Sequence, residues 1–136
     1  MEVSGVRLVT KNMWHSCGKF SLQDLFSRSD LRVRKIFRKF EKMVRGCGRV
    51  EMIPQKTRVV FMARMRFAGA SPRRSHLRCA FILRRKIDNS RFQRVERFGP
   101  RCYGYHLAIR SEADLGNQIA RWLKEAYEVG QQKHLT

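Results

Sequence analysis

The chain has 136 residues, a mass of 16.1 kDa, 43% hydrophobic residues and a formal net charge of +19. That length predicts one domain, which buries about two thirds of the surface that the unfolded chain exposes, and that hydrophobic content excludes a disordered basic tail. No stretch reaches the roughly 18 apolar residues of a membrane span and the N-terminus lacks a signal-peptide apolar run, so we expect a cytoplasmic protein.

The positive charge is concentrated in the middle of the chain. Residues 28–101 contain 23 Lys and Arg against 5 Asp and Glu, which is +18 of the total +19. A folded protein tolerates such a charge most easily when an anionic partner neutralises part of it, and nucleic acid is the first candidate. The alternative is that the charge reflects solubility and an arginine-rich genome, without any polyanionic ligand.

Helical patterns occupy the first third of the chain. A capping-box pattern at residues 21–24 opens a short helical turn. Ser29 is predicted to cap a second helix, which ends at the Gly46, Cys47, Gly48 segment. The apolar residues that recur at helical spacing in this second helix are Val33, Ile36, Phe37, Phe40 and Val44.

From residue 50 the pattern changes to β-branched and aromatic residues with a period of two. A short strand is predicted over residues 50–53, and the apolar run over residues 57–67 is either one long strand or a hairpin that turns at residues 63–65. We favour the hairpin because strands usually have about 5 to 6 residues, although no Gly, Pro or Asn marks the turn. Further strands are predicted over residues 77–84, 94–98 and 103–110.

The last helix has the clearest signals in the sequence. Residues 111–114 (SEAD) form a second capping box, and an apolar stripe follows that ends before Gly130. The stripe consists of Leu115, Ile119, Trp122, Leu123, Ala126 and Tyr127. Gly116 interrupts the helical pattern at a cost of about 1 kcal/mol relative to alanine.

This order of elements predicts an α+β fold. An antiparallel sheet of five or six strands packs one face on two helices, one from the N-terminal half of the chain and one at the C-terminus. Residues 1–28 are predicted to form an N-terminal segment with a short helical turn, packed on the domain. Residues 29–130 form the single α+β domain, and residues 131–136 form a C-terminal tail.

The other face of the predicted sheet combines arginines with apolar residues. Its arginines are Arg58, Arg78, Arg84 and Arg110, and they surround Val60, Met62, Ala80, Ile82, His106 and Ala108. Because guanidinium groups bind phosphates and carboxylates, this face is a candidate binding surface. The alternative is that the N-terminal segment folds across it as a lid, and both hold if the lid leaves a cleft with arginines along its rim.

The four cysteines form no CxxC pair, which indicates reduced thiols and suggests neither a metal site nor a cofactor. They are Cys17, Cys47, Cys79 and Cys102. His15 and Cys17 point the same way on an extended backbone and could supply two ligands to a metal or form a thiolate and imidazolium pair, but a packed Cys17 thiol is the favoured interpretation. Cys102 and His106 are the other pair that an enzyme could use. No third group that would orient a base is recognisable, so we predict no catalytic residues.

Four segments carry a resemblance to a known family. They are residues 12–18 (NMWHSCG), 54–58 (PQKTR), 64–69 (RMRFAG) and 122–127 (WLKEAY). On these segments the chain resembles, over nearly its whole length, the bacterial family of domains of unknown function numbered 5655. The resemblance implies a small α+β domain with helices flanking an antiparallel sheet, and it implies no established activity.

Two functions are compatible with these patterns. The favoured one is a non-enzymatic binding module for an anionic partner, above all nucleic acid, that binds through Lys56, Arg58, Arg66, Arg73, Arg74, Arg78 and Arg84. The alternative is a small-molecule or protein-partner domain with a cleft between the N-terminal segment and the sheet, lined by Trp14, His15, Cys17 and His106. Because no known nucleic-acid-binding motif is recognisable, we expect contacts to the phosphate backbone with weak sequence preference.

Overall fold

The helices of the protein lie at the two ends of the part of the chain that the computed structural model describes, residues 21–131. They are α1 (Leu22–Leu25), α2 (Leu31–Arg45), a 3-10 turn (Glu112–Asp114) and α3 (Asn117–Gly130). Six strands lie between α2 and the 3-10 turn: β1 (Glu51–Pro54), β2 (Val59–Met62), β3 (Arg66–Pro72), β4 (Leu77–Leu83), β5 (Phe92–Gly99) and β6 (Cys102–Ile109). None of the helices within these residues is long and apolar enough to cross a membrane.

The six strands form one open antiparallel sheet in the order β1-β2-β3-β4-β6-β5. Every neighbouring pair is antiparallel, and β4 pairs with β6 over its whole length, from Leu77 opposite Ile109 to Leu83 opposite Tyr103. The α+β prediction is therefore confirmed, with six strands and with helices in the N-terminal half and at the C-terminus.

The core lies between one face of this sheet and the helices α2 and α3. Strand β4 alternates between fully buried and half-buried residues along its whole length, as the period-two pattern predicts. An aromatic cluster joins β5 to α3, with ring centroids 4.6 Å apart for Phe92 and Tyr105, and 5.1 Å apart for Phe92 and Trp122. The apolar stripe of α2 is buried as well, and it consists of Val33, Ile36, Phe37, Phe40 and Val44.

The hairpin between β2 and β3 turns at residues 63–65, as predicted, although it has none of the usual turn residues. The backbone N–H groups of Arg64 and Met65 both donate to the carbonyl oxygen of Gly130 at 2.9 Å. That carbonyl is at the C-terminal end of α3, where helix carbonyls lack partners within the helix. The turn is therefore held by a tertiary contact, which explains why no Gly, Pro or Asn is needed there.

Two details of the helix starts differ from the predictions. Ser29 does not cap α2: Asp30 is the N-cap residue, and the Ser29 hydroxyl donates to the carbonyl oxygen of Arg73 instead. The capping box of Ser111 and Asp114 forms, but it closes the 3-10 turn rather than an α-helix. Helix α3 begins at Asn117, because Gly116 has an extended backbone with φ of −103° and serves as its N-cap.

Candidate anion-binding site

Three connections meet at one end of the sheet. The β1–β2 turn (residues 55–58) and the β3–β4 turn (residues 73–76) lie at the same end, because each connects neighbouring antiparallel strands. The third connection is the segment between α1 and α2, residues 26–30. These connections are separated widely in sequence, and only the fold brings them together.

Hydrogen bonds to backbone carbonyls fix the three connections to one another. The Ser29 hydroxyl donates to the Arg73 carbonyl oxygen at 2.7 Å, and the Asp30 backbone N–H donates to the Arg74 carbonyl oxygen at 2.9 Å. The Ser71 hydroxyl donates to the Thr57 carbonyl oxygen at 2.7 Å. Because the backbones are held, the side chains of the two turns and of the α1–α2 connection start from defined positions.

The connections enclose an open cleft of about 990 Å³, hereafter called the basic cleft. Four cationic side chains and one carboxylate line it: Arg28, Lys56, Arg73, Arg74 and Asp24. The other lining residues are the hydroxyl-bearing Ser27, Ser29, Thr57 and Ser71, together with Leu25 and Pro72. All four cationic residues are exposed to solvent. The lining therefore carries a net positive charge and several hydroxyl groups, and none of the described residues that form it is aromatic.

The pKa of a histidine next to the basic cleft is lowered in part by neighbouring arginine charges. His76 ends the β3–β4 turn, and its carbonyl oxygen accepts from the Arg73 backbone N–H at 2.9 Å. Partial burial lowers the pKa of His76 below its ordinary value, and the charges of Arg110, Arg73 and Arg78 lower it further. The same field that disfavours a protonated imidazole favours a bound anion.

The structure brings together four of the seven predicted anion-binding residues. Lys56, Arg73 and Arg74 line the basic cleft, and Arg58 belongs to the same β1–β2 turn, with its Nε donating to the Gln55 side-chain oxygen at 3.1 Å. Their role in binding stays a prediction.

The other three predicted residues do not line the basic cleft. Arg78 is half-buried in β4, on the sheet face away from the helices, and its partner in β3 is Ser71 of the cleft lining. Arg66 begins β3 and Arg84 follows β4, so both lie at the opposite end of the sheet, about 20 Å from the basic cleft for strands of this length.

Sequence analysis missed the contribution of the α1–α2 connection. Arg28, Ser27 and Ser29 line the basic cleft, yet Ser29 and its partner Arg73 are 44 residues apart in sequence. In the sequence, Arg28 is marked as a candidate only by its position at the start of the charge-rich region. That position does not indicate which turns of the sheet lie next to Arg28 in the fold.

Of the four residues predicted to line a cleft between the N-terminal segment and the sheet, the described part of the chain contains one, His106. Trp14, His15 and Cys17 lie outside the described residues. His106 is half-buried on the sheet face away from the helices, and its Nε2 lies 2.8 Å from Oε1 of Glu96. Glu96 also pairs with Arg94 at 3.1 Å.

The thiols of the described residues are poor nucleophiles. Cys47, Cys79 and Cys102 are free, and burial raises the pKa of each thiol. Cys102 and His106 lie on the same face of β6 four residues apart, which is about 13 Å along a strand and too far for a hydrogen bond. Within residues 21–131, no group of three His, Cys, Asp or Glu side chains has a geometry suited to a metal ion.

A protein-family model described as domain of unknown function DUF5655 matches residues 22–130, which is most of the chain. The chain belongs to this family. The resemblance that the sequence segments indicate is thereby confirmed. No curated protein and no solved structure matches the chain significantly. The family has no assigned activity.

Proposed function

We propose that this protein is a non-enzymatic binding module for an anionic partner, with nucleic acid as the favoured partner. The observation that carries the proposal is the basic cleft, in which Arg28, Lys56, Arg73 and Arg74 converge from three connections against one carboxylate.

The chemistry of the lining suits phosphate groups. Arginine guanidinium groups bind phosphate oxygens through two parallel hydrogen bonds, and lysine adds a point charge. Ser27 and Thr57 add hydroxyl groups, which commonly contact phosphate oxygens in protein–DNA complexes. No lining residue between positions 21 and 131 is aromatic, which argues against a platform for stacked bases, so the contacts would be to the phosphate backbone.

The state of the cysteines supports an intracellular setting for this partner. Cys79 is 1% exposed, and its thiol is free. The thiols of the half-buried Cys47 and Cys102 are free as well. Unpaired thiols are the rule in reducing compartments, so the proposal places the protein in the cytoplasm, where nucleic acid is abundant.

The test is fluorescence anisotropy of labelled duplex DNA, single-stranded DNA and RNA over a salt series, with an acidic polymer as competitor. If the four cations neutralise four phosphates of a duplex, the logarithm of the binding constant falls with the logarithm of the salt concentration at a slope near −3.6 or steeper. The double variant Lys56→Gln, Arg73→Gln should flatten that slope by about 1.8.

A matched control separates the basic cleft from net charge. The double variant Lys86→Gln, Arg101→Gln also removes one lysine and one arginine charge, so its net charge equals that of the cleft variant. Both positions are exposed and lie at the opposite end of the sheet, Lys86 after β4 and Arg101 between β5 and β6. It should bind like the wild type. Absence of binding at moderate salt, equal binding to the acidic polymer, or an equal loss in both double variants would each overturn the proposal.

A further inference from the structure

The surface of α2 carries a second row of positive charge. Its buried stripe faces the core, and the opposite side presents Lys35, Arg38 and Lys42, all exposed to solvent. These positions are three and four residues apart, so they form one row along the helix. None of the three forms a salt bridge with a carboxylate of residues 21–131, whereas the next cation, Arg45, is paired with Glu41 at 2.9 Å.

This row begins beside the basic cleft. Helix α2 starts at Leu31, two residues after Ser29 of the cleft lining, and the backbone N–H of its N-cap Asp30 is held by the Arg74 carbonyl oxygen. Lys35 therefore lies about 6 Å along the helix from its first residue, and the row continues away from the cleft.

The other long helix lacks such a row. Helix α3 contains two cations, Arg121 and Lys124, and two carboxylates, Glu125 and Glu128, whereas α2 contains seven Lys and Arg residues against one Glu. A general excess of charge would be spread over both helices. Its concentration on α2, next to the basic cleft, indicates one continuous surface.

The spacing of the row fits a nucleic-acid strand. From Lys35 to Lys42 the helix rises about 10 Å, and one strand of a duplex carries a phosphate about every 3.4 Å along its axis. These three cations, which form no salt bridge with a carboxylate of the described chain, therefore face a length of backbone that holds about three phosphates. A mononucleotide or inorganic phosphate would occupy the basic cleft and leave this row without a partner.

We infer that the ligand of the basic cleft is a duplex nucleic acid whose phosphate backbone continues from the cleft along the exposed row of α2. This inference rests on the proposed function and specifies its ligand. A duplex is favoured over a single strand because, within residues 21–131, neither the cleft lining nor the row offers an aromatic side chain for stacking. DNA and RNA duplexes share the backbone chemistry and are distinguished in the experiment.

The experiment compares two double variants with the wild type on the same probes. Arg38→Gln, Lys42→Gln removes the row and keeps residues of good helix propensity, while Lys56→Gln, Arg73→Gln removes charge from the basic cleft. The probes are DNA and RNA duplexes of about 16 base pairs, of which the DNA duplex spans about 54 Å, a single strand of equal length, a labelled mononucleotide and vesicles containing phosphatidylserine. Lys86→Gln, Arg101→Gln is again the control, and circular dichroism with thermal melting confirms that each variant folds.

We expect each of the two variants to flatten the salt slope for a duplex by about 1.8, with the control unchanged. Binding of the mononucleotide should weaken in the cleft variant only. If the row variant binds duplexes like the wild type while the cleft variant does not, the inference fails and the proposed function stands. Tighter binding to the single strand or to vesicles than to either duplex would also overturn the inference, and loss of all binding in the wild type would overturn both.

Discussion

Replacing Gly48 with alanine tests how the connection after α2 is locked onto α3. Gly48 has φ of +151°, a backbone conformation that residues with a side chain rarely adopt, at a cost of about 1–3 kcal/mol. A Cβ atom built on Gly48 would lie 2.4 Å from the Tyr127 hydroxyl oxygen and 2.7 Å from Cζ of the same ring. The buried ring would therefore have to move.

The displacement of Tyr127 would break two hydrogen bonds. Its hydroxyl donates to the Arg49 carbonyl oxygen and accepts from Nε2 of Gln131, both at 3.1 Å. With about 1 kcal/mol for each hydrogen bond, and the backbone cost added, we expect Gly48→Ala to lower the free energy of unfolding by about 3–5 kcal/mol. For a chain of this length that corresponds to a fall in Tm of roughly 12–20 °C.

Chemical denaturation followed by circular dichroism measures the loss. Gly99→Ala is the control, because a Cβ on Gly99 meets no atom within 4 Å, and its effect should stay within about 0.5 kcal/mol. In a double-mutant cycle with Tyr127→Phe, the two substitutions should cost less together than their sum, because both remove the same hydroxyl contacts. A loss below about 0.5 kcal/mol in Gly48→Ala, or strict additivity in the cycle, would refute this reasoning.

Two further predictions concern titratable groups. The hydrogen bond from His106 lowers the pKa of Glu96, and the charge of Arg94 lowers it further. A carboxyl group whose pKa is lowered in the folded state stabilises the protein at pH values above its ordinary pKa. This stabilisation is lost as the pH falls through the pKa of the folded state. In urea denaturation, Glu96→Gln should therefore be less stable than the wild type at neutral pH and equal to it well below about pH 4, and a difference that persists at acid pH would contradict this. For Cys79, burial raises the pKa far above its ordinary value, so iodoacetamide should label it only in denaturant, as mapped by peptide mass spectrometry. Labelling of native Cys79 at the rate of the unfolded chain would show that β4 is not buried.

The order of helices and strands could be predicted because each element leaves a local period in the sequence. The alternation in residues 77–83 matches the buried and half-buried pattern of β4, and the stripe of α2 is buried as its spacing indicates. Local signals were less reliable at the ends of elements. The capping box at Ser111 forms, but the backbone leaves the helical region at Leu115 and Gly116, so the 3-10 turn does not continue into α3.

The hairpin turn at residues 63–65 shows what local patterns cannot predict. Its geometry depends on the carbonyl of Gly130, a residue at the other end of the described chain. Ser29 is a similar case, since its hydroxyl is used by Arg73 and not by the helix that follows it. In both cases a distant backbone group satisfies the hydrogen bond that a local motif would otherwise provide.

For the candidate site, the sequence by itself determined the excess of positive charge, its confinement to residues 28–101 and the α+β class, because these follow from composition and periodicity. Only the tertiary structure decided which cations lie together. Arg28, Lys56 and Arg73 share the basic cleft because antiparallel pairing places two turns at one end of the sheet and Ser29 fastens the α1–α2 connection to them. Arg66 and Arg84 are placed at the other end by the same pairing. Charge is a property of residues, whereas a binding site requires distances, and those are set by the packing of segments far apart in sequence.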